Sequence, residues 1–328
     1  MTFLAILFAL LFEQVRPLGA HSSAHRLARL WVTQILRSFD AGKKPAAYLA
    51  WGLMVLLPAL LATGAHDLLL ASGNWLGWAL LFALHVTVLY LTLGFRQFSA
   101  YFTSIRDALD AGDEAGARSV LAKWSVATPM QDLPSRGDIL RRVLAQAGLS
   151  AHIHVFGVMV AYGLGALLGL GPAGAVLYRL CELVARYCSH QMQNRPANDQ
   201  HPISAPMQAL AQGAWLWLDW LPTRISALLF AIVGNFEDAI ASWRAQVHSR
   251  QSLGAAHTPT PEDNAQLLIS AAAGAIGVQM SMDAQEALPE SNLSEPQLGH
   301  LQAMVGLVWR AVVVWMVLLA LLTVAGMA

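Results

Sequence analysis

The chain has 328 residues, 56% hydrophobic and only 12% charged, with a mean hydropathy of +0.49. Soluble domains carry about 25% charged residues, so half that share excludes a chain covered on all sides by water. The 20 Lys and Arg balance 20 Asp and Glu, which excludes a basic nucleic-acid binder and leaves a lipid bilayer as the partner the composition requires.

Lipid offers no partner for backbone N–H and C=O, so a crossing segment needs about 20 mostly apolar residues in a helix. Thr2–Phe12 opens the chain as an apolar run too short for that. No Lys or Arg precedes it and no small-residue cleavage site follows, so a retained partial or re-entrant segment is expected rather than a secretory signal. Uncharged stretches then place two spans near Tyr48–Ala65 and Trp75–Phe95, joined as a hairpin by His66–Asn74. Val143 to Tyr178 is uncharged and is broken by Gly169-Leu170-Gly171-Pro172, which predicts spans near Ser150–Leu170 and Ala173–Tyr187. Leu301–Trp309, Arg310 and the neutral run Ala311–Ala328 make a fifth.

The expectation is an all-α integral membrane protein of about five transmembrane helices plus a short N-terminal apolar helix, in one domain over residues 1–328. Six basic residues lie in 14–47 and seven in 96–142, while the 66–74 and 171–173 links have none. The positive-inside rule puts the basic stretches in the cytoplasm. This makes 96–142 a cytoplasmic helical insert and 188–300 a cytoplasmic region with re-entrant helices, in a multi-pass membrane protein. Both termini face outward if the first segment crosses. Cys181 and Cys188 stand i, i+7 on one helix, roughly 10 Å apart along its axis, beyond the reach of a disulfide within that helix.

Phe98, Phe102, Ile105 and Leu109 recur at helical spacing, and Asp110–Asp113 makes a turn before a second helix through Ala117, Val120, Leu121 and Trp124. Polar loops are read at 194–206 and 246–263, and an acidic stretch at 283–297. Two apolar stretches in the 188–300 region are more informative. In the first, proline suits the opening turn of a helix, so a helix is expected to start near Pro222, with Asp219 close to its positive end, lying on the membrane with interfacial Trp residues. The second, Asn264–Met280, carries Gly274 and Gly277 among small residues that let helices approach closely. A re-entrant helix fits it.

Ionisable residues inside spans are costly and therefore informative. Arg179, Glu182 and Arg186 share one helix face and can pair. They read as a structural ion pair or as an anion site, a task for which the Arg fork is well shaped. His85 lies in the second span, and His152 and His154 open the third. Residues two apart on a helix point in different directions, so His152 and His154 cannot chelate one metal by themselves. Arg310 could snorkel or pair with Glu182.

These residues resemble a family. Asp219–Ile225 and Ala273–Met280, set in the order of a short N-terminal apolar helix, a two-span hairpin, a cytoplasmic helical pair, two more spans, these two segments and a last span, resemble the CobD/CbiB proteins of cobalamin biosynthesis, whose D…LPARL and AGALGVxLGG motifs correspond to them. The likeness covers nearly the whole chain. It implies an inner-membrane amide ligase joining an aminopropanol arm or its phosphate to a cobyric acid-type corrinoid, with ATP and Mg²⁺ if catalytic. Candidate substrate-binding residues are Asp219, Arg224, Asn264, Gly274, Gly277, Arg179 and Glu182; no metal ligands are assigned. The group also includes AmpE, a membrane sensor linked to β-lactamase induction, and Phe12-Glu13, Leu18-Gly19-x-His21 and His25-Arg26, with Leu218-Asp219-Trp220-Leu221-Pro222-x-Arg224, look closer to it. The acidic cluster of active members, of the kind ETVAENTVDG, is replaced by Ala145–His154, which has no carboxylate, and the NTLDS-like motif is absent from Arg179–Tyr187. A non-catalytic regulatory relative is therefore the alternative. A homo-oligomer stays open.

Overall fold

Neutral runs that cannot hydrogen-bond to lipid must close their backbone within a helix or a barrel. Here they all become helices. The computed structural model describes residues 2–15, 23–124, 135–193, 203–252, 258–280 and 293–325. Among them the order is α1 (Thr2–Val15), α2 (Ser23–Phe39), α3 (Lys44–Ala71), α4 (Trp75–Thr92), α5 (Phe95–Asp110), α6 (Glu114–Trp124), α7 (Arg136–Leu167), α8 (Ala173–Gln193), α9 (Ala205–Val233), α10 (Phe236–Ser252), α11 (Pro261–Ile276) and α12 (Leu298–Val324). The one β feature among the described residues is an isolated bridge between Val278 and Ser294.

Five helices are long and apolar enough to cross a membrane: α3, α4, α7, α9 and α12. The expected number holds, and so does α1 as a short apolar helix of 14 residues. The fourth member of the set differs. α8 has 21 residues, but Arg179, Glu182 and Arg186 lower its hydropathy, and it is α9 that qualifies. The expected helix start at Pro222 is also corrected, because α9 runs unbroken through it. Proline removes the N–H that would bond one turn back. The carbonyl that loses this partner belongs to Leu218, and membrane helices tolerate such an internal proline; separately, Arg224 Nη1 donates to the Trp220 carbonyl at 2.8 Å. Residues 246–252, read as loop, continue α10.

Local signals explain the remaining boundaries. Asn74 caps α4 by accepting the Gly77 N–H at 2.7 Å. Ser135 and Asp138 form a reciprocal capping box, which starts α7 well before Ser150 with an exposed Arg136 and the half-buried Arg141 and Arg142 in its first turns. Gly169 and Gly171 take left-handed φ values of +73° and +57°, the conformation glycine adopts without penalty, and end α7 at the expected place. α3 and α7 each hold one π-helical turn, Gly52–Leu56 and His152–Phe156.

The chain forms two compact units. The first comprises Met1–Gly94, Gly157–Asp219 and Leu319–Ala328. In it α8 packs against α2, α3, α4 and the second half of α7, so Arg179 and Glu182 lie among protein, while Arg186 is about half exposed. Gly174 makes the α7 approach possible: a Cβ there would fall 2.0 Å from the Ala161 carbonyl oxygen.

The second unit comprises Phe95–Phe156 and Trp220–Leu318. The expected helical pair is present as α5 and α6, with Phe102, Ile105, Leu109, Ala117 and Leu121 buried. α10 and α11 pack closely through Gly274, where a Cβ would meet the Asp238 carbonyl oxygen at 2.3 Å. Gly277, at φ +70°, closes α11 as its left-handed C-cap.

Candidate functional site

Buried polar groups need partners, so the polar side chains inside each unit mark where function can reside. In the first unit the organising helix is α8. Glu182 is buried, and its two oxygens accept from Arg179 Nη1 at 3.1 Å and Arg186 Nε at 3.0 Å. The expected i, i+3 and i, i+4 pairs are thus formed. Arg179 is mostly enclosed, at 12% side-chain exposure, whereas Arg186 is 47% exposed. Burial first, then the nearby Arg179, Arg29 and Arg186, hold the imidazole of His25 on α2 below the ordinary histidine value, with Glu182 opposing.

One turn before this cluster, Tyr178 donates its hydroxyl to the Asp219 carboxylate at 2.8 Å. Both residues are buried, and Tyr178 also stacks at a tilt on Trp215, with ring centroids 5.0 Å apart. Asp219 is therefore held by a neighbouring helix. Cys181 and Cys188 are buried free thiols.

A second polar set in this unit was not singled out by sequence apart from His85. His66 Nδ1 lies 3.0 Å from His85 Nε2, and His85 Nδ1 lies 2.7 Å from the Tyr162 hydroxyl. Neutral imidazole has one donor and one acceptor nitrogen. Either Tyr162 donates to His85, which donates to His66, or every proton in the chain points the other way.

In the second unit, Arg224 and Asn264 come together, with Arg224 Nη1 donating to Asn264 Oδ1 at 3.4 Å. The guanidinium also lies 4.1 Å over the Trp220 ring, a cation–π placement. Asn264 is buried and Arg224 partly so. One turn along α9, Thr223 and Ser226 face His152: Thr223 Oγ1 is 3.3 Å from Nε2, and Ser226 Oγ is 2.9 Å from Nδ1. All three are buried. His152 opens the π turn of α7, a local geometry found often at functional sites. The sequence signal for this triad was the i, i+3 spacing of Thr223 and Ser226, which carries no meaning until a facing residue is known. Gly274 and Gly277 lie in this unit at the α10–α11 contact and at the α11 cap. Arg310 donates from Nε to the Gly306 carbonyl of its own helix at 3.2 Å.

Among the described residues, no group of three or more His, Cys, Asp or Glu side chains is arranged to hold a metal ion. His21 and Leu18-Gly19, parts of the N-terminal motif, lie outside the described residues, as does 283–292 of the acidic stretch.

Five helices able to cross a bilayer, and charged side chains paired inside the helical units, define a multi-pass helical membrane protein. No family model and no solved structure matches the chain. Among curated proteins, it is 27% identical to the cobalamin biosynthesis protein CobD of Stutzerimonas stutzeri, over 97% of this chain and 96% of that protein. It is also 27% identical to the CobD of Chromobacterium violaceum, over 67% of this chain and 64% of that one. These likenesses support a divergent CobD/CbiB-family member, the assignment to which the Asp219–Arg224 and Ala273–Met280 motifs also point.

Proposed function

We propose that this protein serves cobalamin biosynthesis in the bacterial inner membrane, joining the amine of an aminopropanol arm, or of its phosphate, to a carboxylate of a cobyric acid-type corrinoid. The likeness to a CobD protein over 97% of the chain carries this reading. The polar groups suit anionic ligands. Arg224, braced by Asn264 and Trp220, presents a fork that matches carboxylate or phosphate, and the Arg179–Glu182–Arg186 cluster adds a second positive site. Asp219, held by Tyr178, positions α9 beside α8 within the first unit. Gly274 and Gly277 let α11 carry Asn264 close to its neighbours.

Amide formation from a carboxylate needs activation, which ATP with Mg²⁺ would supply. Mg²⁺ favours several oxygen ligands. The Ala145–His154 segment has no carboxylate, and no three-member acidic or mixed cluster exists among the described residues. No step is assigned to that ion. The same substitution favours a second reading, a non-catalytic AmpE-like membrane regulator that kept the fold.

Purified protein in lipid nanodiscs, supplied with a cobyric acid-type corrinoid, aminopropanol or its phosphate, ATP and Mg²⁺, tests the two together. A corrinoid product heavier by the amide-linked arm, lost in Arg224→Ala, supports the ligase. A well-folded protein that forms no product contradicts it.

A further inference from the structure

A groove of about 460 Å³ runs between the start of α3 and the first half of α9 in the first unit, lined among others by Lys44, Tyr48, Pro206, Gly213, Ala214 and Trp217. Its ends are set by a tether. Ser204 donates its backbone N–H and its hydroxyl to the Asp40 carboxylate at 2.9 and 2.6 Å. This pins the entrances of α3 and α9 side by side, so Lys44 and Pro206 lie near one end of the groove. From Pro206 to Trp217 the lining rises about 16 Å at 1.5 Å per residue. That is about half of the roughly 30 Å hydrocarbon core, the depth of one leaflet.

The chemistry is graded along that length. Lys44 is exposed at the mouth beside Lys43 and is the one charged residue of the lining. Gly213 and Ala214 form a floor without bulk. Tyr48 and Trp217 stand at the rim, 63% and 76% exposed, amphipathic rings of the kind that settle at a membrane interface. We propose that this groove binds one phospholipid with an anionic headgroup, its phosphate against Lys44 and one acyl chain along Gly213 and Ala214. Charge complementarity at the mouth, one-leaflet depth and an apolar floor all select that occupant over a soluble ligand.

The test is native mass spectrometry of the full-length protein released from vesicles of phosphatidylglycerol and phosphatidylcholine. One or more phosphatidylglycerol molecules are expected to stay bound in preference to phosphatidylcholine. Lys44→Gln should weaken that preference about fivefold, the equivalent of about 1 kcal/mol for one basic residue near an anionic lipid. Gly213→Leu should displace the lipid altogether. A Cβ at Gly213 meets nothing within 4 Å, so the new side chain starts into open space, and the unfolding temperature of the variant shows that it folds. Unchanged phosphatidylglycerol retention in both folded variants would overturn the proposal, as would disulfide-linked dimers formed through Tyr48→Cys, which would give the groove to a second copy of the chain.

Discussion

The Tyr178 hydroxyl reaches the Asp219 carboxylate at 2.8 Å across two helices, and neither residue is open to solvent. A buried carboxylate is costly unless hydrogen-bonded, so this contact makes Asp219 a fixed part of the α8–α9 packing. Tyr178→Phe removes the donor and is expected to cost about 1–3 kcal/mol, read as a lowered unfolding temperature in detergent. Asp219→Ala should act on the same contact. The double variant is therefore expected to lose less than the sum of the two single losses, because groups in one contact are not additive.

Glycines at helix contacts should not be interchangeable with glycines in open grooves. A Cβ at Gly157 would lie 2.0 Å from the Tyr178 hydroxyl, and one at Gly174 would lie 2.0 Å from the Ala161 carbonyl oxygen. Overpacking typically costs about 1–3 kcal/mol. Gly174→Ala is expected to be the worse of the two, since backbone cannot rotate away as a side chain can, while Gly213→Ala should be tolerated. Thermal unfolding of the three variants side by side checks the order Gly174, Gly157, Gly213.

The His66–His85–Tyr162 chain makes a third expectation. Tyr162→Phe leaves a nitrogen of the buried His85 without its hydroxyl partner, a loss of about 1–3 kcal/mol. Removing the exposed Tyr48 hydroxyl by Tyr48→Phe should cost nothing measurable. Equal unfolding temperatures for the two variants would mean that the chain contributes no stability.

Stability should also fall on acidification. His25, outside the spans, has its pKa lowered from the usual 6.5 by burial and then by Arg179, Arg29 and Arg186. The unfolded chain therefore takes up a proton at a pH where the folded protein resists it, and stability rises with pH wherever the unfolded state holds more protons. The stabilising difference is complete above about 6.5 and is lost as pH falls below that value toward the depressed one. Unfolding temperatures measured between pH 7.5 and 5.5 should decline, and His25→Gln should flatten the decline. An unchanged slope in that variant would assign the effect to other groups.

Much of the fold is legible from uncharged runs alone, because a lipid-facing helix must be apolar along its length. The α3–α4 hairpin, the break at Gly169–Pro172 and α12 follow from that rule. It misreads α8 and α9 for one physical reason: hydropathy does not distinguish a helix face against lipid from one against protein. α8 carries Arg179 and Glu182 because α3, α4 and α7 shelter that part of it, and α9 is long and apolar enough to cross with Pro222 inside it. Pairs local to one helix, such as Glu182 with Arg179 and Arg186, can be read from spacing. Contacts across the chain cannot: Tyr178 and Asp219 are 41 residues apart, and His152 and Ser226 are 74 apart. Arg224 and Asn264 were both singled out by motif, but their approach to each other depends on the α9 and α11 placement.

The measurement closest to the central claim is genetic complementation. The protein is expressed in a bacterium that lacks its own CobD-type synthase, and growth that depends on corrinoid completion is scored. Restored growth is the expected result, with Arg224→Ala failing to restore it although it accumulates in the membrane. Full-length protein present in the membrane of cells that still cannot complete the corrinoid would contradict the account.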